Sequence, residues 1–427
     1  MKRRQFIQSM GLMTGGLLLQ KDAVLSAAPK KLDTALANAM DESEFWQVVR
    51  EQFVFPKDYY YFNTGGIGAT PSLVMHEVQA STNEQQIHPR PGYDHEKWLE
   101  IKESAKKLIN NRRKEEIALV GTATEGINIV LNGLPLKKGD EIISSTHEHA
   151  ALHVPLLHNL HRHGIRVKFF DPDFSDGLGN VDRIEKLITR KTRLLFISHV
   201  TCTTGQLFPV KEIGELARAK KLWFALDGAQ AVGEVPVDVA DLGVDFYAFS
   251  GHKWVLGPKR SGIFYVREDL LDTLQPTVVG AYSDGGFNVR TEEFRLNPTA
   301  QRYEYATQNE ALFHGLGKAI EFVTTIGLER IHQHNRKLAE RFYAGLQNIP
   351  EVELLSPEEE KYRTSLISFK IKNRNFREVG KYLVGRQFRV RVVPEADLEG
   401  IRVSLHVYNN ENQVDMLLDE IKKYARK

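Results

Sequence analysis

Between residues 117 and 266 the chain alternates short, almost unbroken apolar runs with longer amphipathic stretches. The runs Ile117–Val120, Glu141–Ser144, Val167–Phe170, Leu194–Ser198, Leu222–Leu226, Phe246–Phe249 and Ile263–Val266 have the length of strands. They lack the in-and-out alternation of a sheet with one wet face, so both of their faces must be covered. The stretches between them, among them Ala123–Leu131, Ala151–His163, Asp182–Leu187 and Lys211–Ala219, carry apolar residues at helical spacing. Strands buried on both faces and separated by helices predict an α/β fold with a mostly parallel, seven-stranded sheet between helix layers. This large domain is expected over residues 58–308.

The remainder reads differently. Helices from about 309 to 325 and 328 to 346, then strands Leu366–Ile371, Phe388–Val392 and Ile401–Leu405, predict a smaller α+β domain over residues 309–427. Phe45, Val49 and Phe53 recur at fourfold spacing behind Asp41 and Ser43, so residues 29–57 are expected to be a helical segment packing with that smaller domain. The first 28 residues have another character. Lys2-Arg3-Arg4-Gln5-Phe6-Ile7, an apolar stretch from Met10 to Leu19, and Ser26-Ala27-Ala28 form the three regions of a secretory signal, and the paired arginines resemble the twin-arginine type. A periplasmic or exported location, reached through the twin-arginine machinery, is the expectation. The apolar stretch falls short of the about 20 residues that span a bilayer.

A formal net charge of +2 gives no reason to expect nucleic acid, and the single cysteine, Cys202, excludes an intrachain disulfide and a cysteine-rich metal site. No metal is expected. The chemistry lies instead in two motifs, Asp227-Gly-Ala-Gln230 and Ser250-Gly-His-Lys253, each just past an apolar run. Asp227 or Lys253 alone would be a helix cap or a solvated charge. Together, in this order on successive strands, they are the signature of pyridoxal phosphate (PLP) held on Lys253 as a Schiff base. An aspartate at a strand end can pair with the pyridinium nitrogen and keep the ring an electron sink. Gly121-Thr122-Ala123-Thr124-Glu125-Gly126 follows a strand and opens a helix, and amides at a helix N-terminus suit a phosphate. His149 can lay its imidazole on the pyridine ring.

From about Tyr61 onward the chain resembles the class V aminotransferase family of fold-type I PLP enzymes, and within it the branch of cysteine desulfurases, selenocysteine and cysteine lyases, and isopenicillin-N epimerase. The motifs Gly-Thr-Ala-Thr-Glu-Gly-Ile-Asn, Glu-His-Ala, Ser198-His199-Val200-Thr201, Asp-Gly-Ala-Gln, Ser-Gly-His-Lys and Arg402-Val-Ser-Leu-His-Val-Tyr-Asn409 carry the likeness. The resemblance implies that Lys253 forms the Schiff base and moves protons at Cα, with Asp227 on the pyridinium and His149 on the ring face. It implies Gln230 on the ring hydroxyl, Thr201 beside the cofactor, and Ser250, His252, Ala123 and Thr124 around the phosphate. Thr307 matches a threonine that reaches the neighbouring subunit's phosphate, so a homodimer is implied. Arg402 matches the binder of the substrate carboxylate, a task that suits a guanidinium fork. Asn63 and Gly65, in the glycine-rich run 63–68, are expected beside the substrate, with Gln85 to Tyr93 (His88 and Arg90 included) and Ala281 to Asn297 as specificity loops.

One departure bears on the reaction. Desulfurases of this branch use a nucleophilic cysteine in the C-terminal domain, and the corresponding stretch Gly385–Pro394 has none. Cys202 is expected to be a packing residue near the cofactor. The activity implied is therefore at Cα of an amino acid or small peptide: epimerisation or C–S lysis first, transamination with a keto acid second, and a non-catalytic binder last.

Overall fold

The computed structural model describes residues 32–426; the signal-like segment 1–28 lies outside them. The seven strands are β1 (Ile117–Val120), β2 (Glu141–Ser145), β3 (Arg166–Phe170), β4 (Thr192–Ser198), β5 (Trp223–Asp227), β6 (Phe246–Ser250) and β7 (Gly262–Val266). They form one sheet in the order β1-β7-β6-β5-β4-β2-β3. Pairs within β3-β2-β4-β5-β6 are parallel, while β7 runs antiparallel to both neighbours. The reason is the link: residues 251–261 are too few for the helical crossover that a parallel return needs. Strands β1, β2, β6 and β7 are buried at every position, as the unbroken apolar runs require.

Helices cover both faces. The helix Val210–Ala219 buries Val210, Ile213, Gly214 and Ala217, one stripe at helical spacing. The helix Ala123–Gly133 lies against β6 and β7 at Gly126, where a Cβ would come within 2.7 Å of the Ala248 Cβ. Register then sets the site. Ser198 pairs with Asp227, and Asp227 with Ala248, so the carboxyl ends of β4, β5 and β6 finish together. Ligands of open α/β sheets bind at that edge.

The smaller sheet is antiparallel, in the order Val352–Leu354, Leu366–Ile371, Gly400–Ser404, Arg391–Val393. The single strand expected at Phe388–Val392 is two. Phe388–Arg389 pairs with Tyr60–Tyr61, and after buried Val390 the chain crosses to pair Arg391–Val393 with Gly400–Ser404. In the N-terminal segment Trp46 stacks on His334 with ring centroids 3.8 Å apart and Arg330 lies 4.1 Å over the Phe45 ring, while Leu32, Leu36, Phe45, Trp46, Val49 and Phe53 are buried in the core of the large sheet rather than in that of the smaller domain. The domain boundary departs from the expected one. The helix Glu310–Ile326 packs on the helices Ser72–Ile87 and His95–Leu108, on the large-domain side. The separate core of the smaller domain starts at Leu338 and takes in Phe62.

Two stretches read as specificity loops carry regular structure. Gln85–Ile87 closes the helix Ser72–Ile87, whose buried residues are only Leu73 and Val74, too few to leave a periodic signal. Ala281 to Asn297 contains the hairpin Asp284–Asn288/Glu293–Leu296, which exposes Phe287, Val289 and Phe294. Among the described residues no helix is long and apolar enough to cross a membrane, and no three His, Cys, Asp or Glu side chains gather as a metal site.

Burial makes the fold acid-sensitive. It holds the imidazoles of His199 and His406 down at about 3 and that of His334 at about 4. Their unfolded value is near 6.5, so as pH falls below that the unfolded chain takes up protons that the native chain refuses, and stability drops. Glu148, pushed by burial up to about 7, acts in the opposite sense, since the native chain binds its proton first. Burial likewise lowers His147, His149, His252 and His314 and raises Asp227, Glu234 and Asp245, so seven imidazoles stand against four carboxyls. The urea midpoint is predicted to fall steadily from pH 6.5 to 4; a flat or rising midpoint would show that these imidazoles are not held neutral.

Candidate active site

At the carboxyl edge of the sheet lies a cavity of about 170 Å³ bordered by Asp227, Lys253, His149, Ser250, His252, Ala123, Thr124, Gly65, Arg391 and Arg402. Asp227 is the last residue of β5 and only 4% exposed. One of its carboxylate oxygens accepts the Ala229 N–H at 2.9 Å. Burial pushes this carboxyl up and nearby Lys253 pulls it down. Burial lowers the Lys253 ammonium while Asp227 raises it, so the amine loses its proton more easily than a surface lysine. That is the state in which a lysine is a nucleophile or a base. The loop 63–68 comes very close here: the Gly68 N–H donates to the His252 carbonyl at 2.8 Å, and a Cβ on Gly68 would lie 2.1 Å from the Lys253 carbonyl oxygen.

His149 caps the helix Ala150–His163, its Nδ1 accepting the Ala151 N–H at 3.1 Å. The ring proton therefore sits on Nε2. Burial, with Lys253 and Arg391 adding to it, lowers this imidazole to about 4. A neutral flat ring at the cavity wall can stack on a pyridine without charge. Beneath it, buried Glu148 accepts from Ser145 Oγ at 2.5 Å and from the Ser198 N–H at 2.9 Å.

The far end is built for an anion. Thr122 caps the helix Ala123–Gly133, accepting the Glu125 N–H at 3.2 Å, while the Glu125 carboxylate accepts the Gly121 N–H at 2.8 Å. This capping arrangement leaves the first turn pointing at the cavity. Ser250 Oγ accepts the Ala123 N–H at 2.9 Å. His252 Nδ1 is buried without a hydrogen-bond partner, and burial holds that ring at about 4. An orphaned polar atom between a helix N-terminus and a serine is what a phosphate would satisfy.

Arg402 lies on Gly400–Ser404 and is 1% exposed. Its Nη1 donates to the Cys202 carbonyl at 2.7 Å and its Nη2 to Asn63 Oδ1 at 3.2 Å, while Nε has no partner. Burial, with Arg391 reinforcing it, draws this guanidinium down to about 10. Among the described residues no carboxylate pairs with it, so a buried cation faces the cavity ready for a substrate carboxylate. Gln230 is held at the cavity's back: its amide nitrogen donates to the Gly65 carbonyl at 2.8 Å and its amide oxygen accepts Trp254 Nε1–H at 2.9 Å. The Trp254 carbonyl in turn accepts from His406 Nε2 at 3.0 Å.

Four expected residues do not border the cavity: Gln230, whose amide is taken up by Gly65 and Trp254 rather than left for a ring hydroxyl, and Thr201, Asn63 and Thr307. The Thr201 hydroxyl is taken up inside its own turn, 2.8 Å from Thr204 Oγ1 and accepting the Gln206 N–H at 3.0 Å. Asn63 acts through Arg402 and borders an adjoining cavity. Thr307 is exposed, away from its own chain's cavity. Cys202 is 2% exposed, and burial pushes its thiol up to about 11. It packs; it does not present a thiolate. Sequence reasoning missed Arg391 at the cavity wall, because Phe388–Val392 read as one strand hides the crossing at Val390 that places Arg391 opposite Arg402.

The residues present thus fit a ring with a pyridinium at Asp227, a carbonyl at Lys253 and a phosphate at Ser250 and the helix N-terminus. Comparison with known proteins agrees. The model of the aminotransferase class-V family matches residues 72–417. The probable cysteine desulfurase of Methanothermobacter thermautotrophicus is 29% identical over 398 residues, covering 88% of this chain and 97% of that protein. The apo structure of the cysteine desulfurase from Thermococcus onnurineus superposes with a TM-score of 0.81 at 26% identity, over 89% of this chain and 98% of the other. The cystine C–S lyase C-DES in complex with its product cysteine persulfide gives a TM-score of 0.79 at 27% identity, over 86% of this chain and 98% of its own. A lysine-to-alanine variant of C-DES carries glycine covalently linked to PLP. The carboxyl-edge cavity, its lysine–aspartate pair and the family match lead to one conclusion: this chain is a PLP-dependent enzyme of the class V aminotransferase family.

Proposed function

We propose that the enzyme is a C–S lyase, splitting a cysteine-derived amino acid into a thiol, ammonia and pyruvate with consumption of one water. PLP, when bound, supplies the sink for the electron pair left at Cα. Arg402 holds the substrate carboxylate in a buried fork, which fixes Cα relative to Lys253. The Lys253 amine, eased towards neutrality by burial, takes the Cα proton. His149 shields one face of the site, and Asp227 keeps the cationic end in place. The sulfur leaves with the electrons of the Cβ–S bond.

One observation carries this reading. A desulfurase needs a thiolate to accept sulfur, yet the only cysteine is Cys202, buried and held protonated with its thiol at about 11. The relatives named above act on C–S bonds, while this chain keeps the lysine, aspartate and arginine and lacks an acceptor thiol. Sulfur is therefore released. Epimerisation and transamination stand behind this reading. Incubation with S-substituted cysteines separates them: pyruvate with free thiol supports lysis, racemised substrate without pyruvate supports an epimerase, and keto acid retaining the side chain supports a transaminase.

Two substitutions should diverge. Lys253→Ala is expected to lower kcat by at least about 10³-fold, the scale of a lost general base, whereas Cys202→Ser should leave turnover unchanged. Loss of activity in the serine variant would restore a persulfide mechanism.

We further propose a homodimer, supported by exposed Phe287, Val289 and Phe294 on one hairpin and by Thr307 lying outside its own cavity. Analytical ultracentrifugation should give twice the chain mass of 48.6 kDa; a monomer with full cofactor would remove the proposal. The twin-arginine export reading rests on residues 2–7. Arg3→Lys with Arg4→Lys should retain folded enzyme in the cytoplasm, and undiminished export would overturn it.

A further inference from the structure

Arg391 and Arg402 are register partners on adjacent antiparallel strands. Like charges directly opposite each other destabilise a sheet, and both of these line the same cavity. Each also has unmet hydrogen-bonding capacity. Arg391 Nη2 pairs with a Glu395 carboxylate oxygen, but Arg391 Nη1 is buried without a partner, as is Arg402 Nε. One carboxylate on Arg402 leaves the second donor group unanswered.

A second observation points the same way. Arg391 also borders an adjoining cavity of about 430 Å³, where Arg377, Lys381 and Arg389 join it and no lining residue is acidic. Lys381 is answered at its outer end by Glu378 at 2.7 Å. The space leading from the site past Arg391 is therefore cationic.

Building on the lyase reading, we infer that Arg391 is a specificity-determining residue and that the preferred substrate is an amino acid whose side chain ends in an anion. Arg402 takes the α-carboxylate, and Arg391, whose Nη2 already holds Glu395, offers its unpartnered Nη1 to the distal anion. For a cysteine derivative, the distal anion sits on the group that leaves with sulfur.

Dissociation constants are to be read on the holoenzyme from the visible absorbance of the bound cofactor, using pairs that match in shape and differ in charge. S-carboxymethyl-L-cysteine against S-carbamoylmethyl-L-cysteine is one pair, and L-glutamate against L-glutamine the other. Wild type should bind the anionic member about 10- to 100-fold more tightly, the range of a charge-assisted hydrogen bond. Arg391→Gln should erase that preference by weakening the anionic member alone, and Arg391→Lys should keep part of it. Equal affinities within each pair for wild type would overturn the inference. So would an equal loss of both members in Arg391→Gln, which would assign Arg391 to the shared α-carboxylate. If the anionic preference holds but no pyruvate forms from either cysteine derivative, the lyase reading fails while the role of Arg391 stands.

Discussion

A carboxylate buried at the end of a parallel strand needs a cation beside it, and much of this protein is arranged around supplying one to Asp227. The strand register brings Asp227 level with Ser198 and Ala248, and the turn after β6 carries Lys253 to the same cavity. In the free chain the lysine answers the aspartate in part, which is why burial and charge pull each of them in opposite directions. When the lysine is committed elsewhere, Asp227 needs another positive group, and a pyridinium nitrogen meets that need.

The rest of the cavity is polarised around the same point. Anion-seeking groups stand at both ends: a helix N-terminus with Ser250 and His252 at one, Arg402 and Arg391 at the other. Between them lies the neutral imidazole of His149, the wall that requires no charge. This layout separates binding from proton transfer, because the groups that grip are guanidiniums, backbone amides, the Ser250 hydroxyl and the neutral His252 ring, and the group that moves a proton is the lysine with a lowered pKa.

What the sequence made legible follows from how local each signal is. Unbroken apolar runs such as Ile117–Val120 and Phe246–Phe249 marked strands to within a residue or so, because a strand buried on both faces leaves no ambiguity of period. Asp227 and Lys253 were legible because each closes such a run. Gln230 and Arg402 were reached only through resemblance, since nothing local says that Arg402 will share a cavity with Lys253 or that Gln230 will bond Gly65. Arg391 was illegible: its place depends on a change of sheet at Val390, a tertiary event with no local mark. The helix Ser72–Ile87 escaped because it buries only Leu73 and Val74. The helix Glu310–Ile326 was found but assigned to the wrong layer, because its many apolar residues do not say which neighbour covers them.

The hydrogen-bonded run from Gly65 through Gln230 and Trp254 to His406 has a mechanical consequence. It crosses from the glycine-rich loop, over the back of the cavity, into the smaller domain, and each of its three links is buried. To swing the smaller domain outward as a jaw would leave those polar groups unanswered, at roughly 1–3 kcal/mol apiece. The two halves are riveted at the hinge line itself. Any opening for substrate must therefore either break these links at that cost or turn about their line and leave them intact.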